Sequence, residues 1–496
     1  MSCKATHSKI DYYEYSGLLG GNNMNLIEGI NNTIINTKGS KYYNTSCNYN
    51  LDLFCSISRY DNEDKIITNF NNALSENETL ALANLLYILD IRNGKGERRI
   101  FKIIFKYLCK NKPLFAIKIL PFISELGRYD YILEGINTSI HNEVISLIKK
   151  QLLFDINSDN PSLLAKWLPS HRTHNSNNKI AKIIMKELKM NEKEYRKTLS
   201  KIRTVINIVE KNLTEKKYQN IDFNKVPSKA MLKYNNVFLK NMKDEFEKYK
   251  EEVKKGNSKI NTEGLFAYEI IKKVLSNSDD SLCDIMWNKQ KDVLNGCNSN
   301  VLVMADTSGS MTCFNSIPFY TSIGLALYTA ERNNGFFKNH FLTFSSEPQL
   351  YEVKGNTLKE KVLNIKPYVD NTDIDKAFEL ILNTAIENNL EQKELPSHLL
   401  IISDMEFDRG VYSKEGTNFK GWKKFFLENG YNLPNIFFWN VAGSTKGLPV
   451  TVFDNDVSMI SGFSTNILNN LLTLENYSPL ELMYDKLNTY IELLNR

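Results

Sequence analysis

The stretch that most limits what this chain can fold into is Val301 to Met311, VLVMADTSGSM. It opens as an unbroken apolar run bounded by turn-formers, which reads as a buried strand of a parallel sheet. Asp306 then stands just past the strand's C-terminal end. Open α/β sheets bind ligands at that edge, at a switch point in strand order. Asp306, Ser308 and Ser310 put three hard oxygens on one tight loop, and Gly309 lets it bend. Such donors suit Mg²⁺, or another divalent cation such as Mn²⁺. Taken alone, D-x-S-x-S more often caps the next helix than holds a metal, so the loops further along the chain have to decide.

Those loops come from an alternating pattern. Strands are expected at Val301–Ala305, His340–Phe344, His398–Ile402, Asn435–Trp439 and Val457–Ile460, with a short antiparallel edge strand at Gln349–Val353. Helices are expected at Ile317–Arg332, Leu358–Ile365, Asp373–Asn388, Asn418–Asn429, Thr465–Leu472 and Pro479–Leu494. Strands alternating with helices of this size predict a doubly wound, Rossmann-like α/β domain, residues 296–496. Two further loops then reach the same sheet edge. Asn371-Thr372-Asp373 precedes a helix, and Ser403-Asp404-Met405 follows the strand HLLII, adding a hydroxyl and a carboxylate beside Asp306.

The first part of the chain has a different texture. Residues 1–50 are rich in Asn, Ser and Gly and predict a poorly ordered arm. From Leu51, apolar residues recur at helical spacing in Leu51–Arg59, Glu78–Arg92, Arg99–Cys109 and Leu114–Leu126, with breakers between them. More helices are expected at Asn142–Phe154, Ser162–Leu168, Lys179–Leu188, Glu192–Lys211, Ala230–Lys255 and Gly264–Ser276. Consecutive helices with short joints predict a HEAT-like helical body over residues 51–295.

With 496 residues the chain is long enough for two cores. Seven scattered cysteines without a CxxC fit a reducing, intracellular and cytoplasmic setting. No run approaches the ~18 apolar residues of a membrane span, and the first 20 residues carry no signal-peptide core. The net charge of +5 hides a division: from Ser299 onward there are 16 Lys and Arg against 23 Asp and Glu, leaving 46 against 34 before it. A basic body joined to an acidic domain points to an anionic partner for the first part, RNA being the obvious one, although a lysine-rich solvated surface gives the same balance.

Two basic segments sharpen that expectation. RNGKGERR sets Arg92, Lys95, Arg98 and Arg99 around two glycines, a composition that can wrap a phosphate or form a polar turn after a helix. KWLPSHRTH groups Lys166, Trp167, His171 and Arg172 around a proline, with Arg128 in ELGRYD as a further cation. Cations beside an exposed ring grip single-stranded RNA; the alternative is that Trp167 is core.

DTSGSM, NTD around Thr372 and SDMEFD together resemble the three loops of the metal-ion-dependent adhesion site (MIDAS) of von Willebrand factor A domains. The resemblance implies that Ser308, Ser310 and Thr372 ligate Mg²⁺, with Asp306 and Asp404 acting directly or through water. A helical body followed by such a domain is similar to the Ro family, whose TROVE module is a ring of helical repeats that binds small non-coding RNAs. IRNGKGER, ELGRYD, AKWLPS, SDMEFD, FWN and SGFS resemble more closely an uncharacterised family with the same two parts, which includes giant-virus members. That origin would add the virion as a location.

The expected function is a non-enzymatic, ribonucleoprotein-type scaffold. Its basic body would bind small or structured RNA, and its metal site an acidic side chain of a protein partner. A protein-interaction module without RNA is the alternative, and a metal-dependent hydrolase ranks third, because no nucleophile paired with a base and no Walker loop is evident. Neither a membrane nor DNA is implied as a partner.

Overall fold

The computed structural model describes residues 31–35, 38–171, 176–276, 280–296, 299–344, 347–365, 373–408, 418–442, 447–468, 471 and 478–496. A short antiparallel hairpin comes first, β1 (Thr33–Ile35) and β2 (Lys41–Tyr43). Among the described residues fifteen α-helices follow: α1 (Tyr49–Ser56), α2 (Glu63–Glu76), α3 (Glu78–Leu89), α4 (Arg98–Asn111), α5 (Pro113–Ile119), α6 (Ile123–Leu126), α7 (His141–Ile156), α8 (Leu164–Trp167), α9 (Ser176–Glu187), α10 (Glu192–Val205), α11 (Val209–Thr214), α12 (Ser228–Asn241), α13 (Lys243–Lys255), α14 (Ala267–Leu275) and α15 (Asp280–Asn288).

The rest is an α/β unit. Its strands are β3 (Val301–Asp306), β4 (His340–Phe344), β5 (Gln349–Glu352), β6 (His398–Ser403), β7 (Asn435–Asn440) and β8 (Val457–Ser461). Its helices are α16 (Cys313–Arg332), α17 (Leu358–Asn364), α18 (Ile374–Glu387), α19 (Asn418–Glu428) and α20 (Pro479–Leu494). The sheet order is β5-β4-β3-β6-β7-β8, parallel except for the edge strand β5. Every residue of β3 and β6 is buried, as a strand covered on both faces requires. The chain runs outward from β3 through β4 to β5 and then returns to β6 on the other side of β3. The switch point therefore lies between β3 and β6.

The two parts share one hydrophobic core. The C-terminal helix α20 returns to lie on α3, where Tyr490 Oη donates to Asp90 Oδ2 at 2.9 Å. Helix α14 packs on α16 closely enough that a Cβ on Gly324 would meet the Ala267 Cβ at 3.2 Å.

Several sequence expectations need correction. The expected arm is built into the fold over its described residues: β1 pairs with β2, Tyr42 is 2% exposed, and Tyr43 bridges to Leu448. Helix α2 was not expected, although Asn62 caps it by accepting from the Lys65 N–H and Ile66, Phe70, Ala73 and Leu74 form its buried face. The single helix expected over Ala230–Lys255 is two, broken at Met242, whose backbone leaves the helical region. Glu192–Lys211 likewise divides, with Asn207 left-handed between α10 and α11. At Thr465–Leu468 a single 3-10 turn stands in the expected helix.

Candidate metal centre and basic surfaces

Four of the five residues expected to ligate a metal, Asp306, Ser308, Ser310 and Asp404, lie at the switch point. In the β3–β6 register Ala305 stands opposite Ile402, so Asp306 and Asp404 leave neighbouring strands at the same edge. Asp306 is fully buried; its Oδ1 accepts from the Ser308 N–H at 2.9 Å and its Oδ2 from the Ser403 hydroxyl at 2.5 Å. The Ser403 Oγ in turn accepts from the Met405 N–H at 3.0 Å. Asp404 is 1% exposed, and its Oδ1 accepts from the Glu406 N–H at 3.0 Å. Ser308 and Ser310 hold their hydroxyl oxygens 3.0 Å apart. Thr372 lies outside the described residues.

Electrostatics at this edge are unbalanced. Burial pushes the Asp306 carboxyl up to about 7, and the Asp404 carboxylate adds to the rise. Glu406 is raised by the same two causes. Two buried carboxylates repel, and a divalent cation is the counter-charge that relieves them. The donor set is carboxylate and hydroxyl oxygen, which fits Mg²⁺ and not a soft metal. No group of three or more His, Cys, Asp and Glu among the described residues could hold a metal; a cation here depends on the serine hydroxyls.

Two features that the sequence reading missed frame these loops. The β1–β2 hairpin braces the loop after β6: Tyr42 Oη donates to the Met405 carbonyl at 2.7 Å and accepts from the Phe407 N–H at 3.2 Å, while Ser40 Oγ donates to the Asp408 carbonyl at 2.5 Å. No local pattern signals a contact made across more than 360 residues. On the other side, Phe314, Asn315 and Ser316 are three consecutive left-handed residues just after the serine loop, a costly backbone of the kind found at functional sites. The Phe314 ring stacks on Tyr60 of the helical body at 3.7 Å between centroids.

The residues expected to bind RNA separate into groups. Lys95 is 1% exposed and belongs to the junction between the two parts: its Nζ donates to the Phe54 carbonyl and, at 2.8 Å, to the Ser461 hydroxyl. It therefore cannot wrap a phosphate, which corrects the reading of RNGKGERR. That segment is a tight turn folded back on α3, in which the Lys95 and Glu97 N–H groups donate to the Tyr87 and Ile88 carbonyls at 3.0 and 2.8 Å. Its glycines are steric requirements, since a Cβ on Gly94 would stand 2.1 Å from the Tyr87 carbonyl oxygen. Arg92 is exposed, with Nε 3.6 Å from Glu263. Arg99 donates to the Arg59 and Asp61 carbonyls at 3.0 and 2.6 Å.

Arg98, Arg128, Lys166 and Trp167 do come together. Arg128 lies 3.5 Å over the Trp167 ring and is held by Asp130, while the Lys166 Nζ is 5.7 Å from the same ring and 3.5 Å from Glu210. Arg98 and Arg128 flank Tyr131 at 5.9 and 5.8 Å. Trp167 is half-buried and one of its faces is covered by Arg128, which departs from a ring free on both faces for stacking. His171 Nδ1 stands 3.2 Å from Glu192. Arg172 lies outside the described residues.

Two family models match the chain and meet where the α/β unit begins. Residues 146–300 match a domain of unknown function, DUF2828, and residues 300–487 match a second, DUF7788. The chain is also similar to an uncharacterised protein, L728, of Acanthamoeba polyphaga mimivirus, 29% identical over 499 residues that span 91% of this chain and 87% of the viral one. Its relationship is thus to a giant-virus protein with which it shares nearly its whole length.

Proposed function

We propose that the protein is a non-enzymatic scaffold. Its α/β unit acts as a von Willebrand factor A-like, metal-ion-dependent adhesion module, and its TROVE-like helical body carries RNA. One observation above all supports the metal half: two buried carboxylates, Asp306 and Asp404, leave adjacent parallel strands at the switch point beside the paired hydroxyls of Ser308 and Ser310. These four, with Thr372, would hold Mg²⁺. The ion would supply positive charge for a partner's Asp or Glu carboxylate, the ligand that best completes a shell otherwise rich in neutral hydroxyls.

A hydrolytic use of the same site has less support. Ser403, whose hydroxyl donates to Asp306, is fully buried, out of reach of a substrate. The buried thiols of Cys47, Cys55 and Cys109 suit a reducing intracellular setting. Among the described residues no helix is long and apolar enough to cross a membrane.

Thermal unfolding with and without Mg²⁺ tests the metal half. A site saturated a hundredfold over its Kd adds about 2.7 kcal/mol to stability, so wild-type protein should melt at higher temperature in millimolar Mg²⁺. Asp306→Ala should erase the difference. Identical melting of the wild type in Mg²⁺ and in EDTA would refute the site.

A further inference from the structure

Helix α4 carries an ordered line of charge of which the basic segment RNGKGERR contains only the first residue, Arg98. Arg98, Lys102, Lys106 and Lys110 recur every four residues along RRIFKIIFKYLCKN, whose opposite face, Ile100, Phe101, Ile104, Phe105 and Leu108, is core. With a rise of 1.5 Å per residue the four cations stand about 6 Å apart and span about 18 Å on one rigid face. They border an open groove of about 720 Å³ that also takes in Arg99 and Tyr107, with Glu63 and Glu134 as its carboxylates. Glu134 pairs with Lys102 at 2.7 Å. Lys106 and Lys110 are exposed, and among the described residues neither has a carboxylate partner within ion-pair distance. At its N-terminal end the line continues through Arg98 to Tyr131, Arg128 and Trp167.

We infer that the α4 groove is the track on which the helical body holds the phosphate backbone of single-stranded RNA. This rests on the RNA half of the proposed function and names its surface. An isolated ion pair needs two opposite charges at one spacing. A polyanion instead rewards a repeated spacing on a rigid support, because the cations are positioned before binding and each releases counterions on contact. The groove floor adds the half-buried Tyr107, whose hydroxyl accepts from Asn71 at 2.9 Å, and rings in such grooves tolerate any base. An acidic protein segment has the right charge but not the regular repeat.

The test is fluorescence anisotropy of the full-length chain with a labelled single-stranded oligouridylate, titrated from 0.05 to 0.5 M salt. About four phosphate contacts give a slope of log K against log salt near −3, at roughly 0.7 per contact on single strands. The variant Lys106→Glu/Lys110→Glu removes two contacts. Its slope should be shallower by about 1.4, so that binding at 0.1 M salt weakens about 25-fold. A matched reversal on α19, Lys423→Glu/Lys424→Glu, changes net charge equally and should stay within about threefold of wild type. Absence of RNA binding by the wild type would overturn the RNA reading itself. Equal losses in both variants, or none in either, would overturn only the α4 track. Displacement of the RNA by polyglutamate at equal charge concentration would reassign the groove to an acidic protein.

Discussion

Lys95→Met gives a direct measure of how the two parts of the chain are joined. The Lys95 ammonium is enclosed between α1, α3 and β8, with the Phe54 and Tyr87 rings 5.2 and 5.9 Å away. Burial pulls it down from the ordinary 10.5 to about 8. At about 1.4 kcal/mol per decade, the charged form therefore costs the fold ~3 kcal/mol at neutral pH. The sign follows from proton counting. Below pH 8 folded and unfolded chains both hold the proton and the cost is fully present. Between pH 8 and 10.5 the unfolded chain binds more protons, so stability rises with pH until the cost is gone. Methionine fills similar space without charge and sacrifices about 1–2 kcal/mol of hydrogen bonding. That loss is softened because Ser461 Oγ can still donate to the Phe54 and Ile57 carbonyls at 3.3 and 3.4 Å. Lys95→Met should thus be more stable than wild type by about 1–2 kcal/mol at pH 7. The advantage should fall by about 3 kcal/mol, and reverse, by pH 10. Urea unfolding of both proteins from pH 7 to 10 measures this, since the buried tyrosines common to both cancel in the difference. Parallel pH curves would refute the reasoning.

Other outcomes follow from single contacts. Gly94→Ala should destabilise by roughly 3 kcal/mol, because its Cβ cannot coexist with the Tyr87 carbonyl oxygen. Gly256→Ala, left-handed with nothing within 4 Å, should lose only about 1 kcal/mol; equal midpoints in urea would contradict this account of the two glycines. Tyr42→Phe leaves the Met405 carbonyl and the Phe407 N–H without their phenolic partner, at a cost of about 2 kcal/mol. If the hairpin braces the metal loop, the same variant should also show a smaller rise in melting temperature on adding Mg²⁺, and an undiminished rise would detach the hairpin from the site.

What could be read from the residues alone was whatever repeats at short range. The strand Val301–Ala305, the aspartate at its end and the alternation of strands and helices after it follow from burial on both faces of a parallel sheet, and the observed sheet has those strands in those places. The line Arg98, Lys102, Lys106 and Lys110 is legible too, as a four-residue period that begins inside RNGKGERR. Helix α2 carried both its cap and its apolar period and went unrecognised among its many asparagines.

Tertiary structure decided the rest, because burial is a property of what comes to lie beside a residue. A lysine between two glycines has the composition of a phosphate clamp. Only the return of β8 onto the helical body encloses Lys95 and turns it into a buried link between the two parts. Composition likewise marked residues 1–50 as an arm, yet Tyr42 finds its partners more than 360 residues away, on the loop that carries Asp404. The sequence alone determined which residues could carry charge and oxygen to the sheet edge. Only the fold decided which of them are buried and which stay open to solvent, since desolvation and long-range pairing have no local signature.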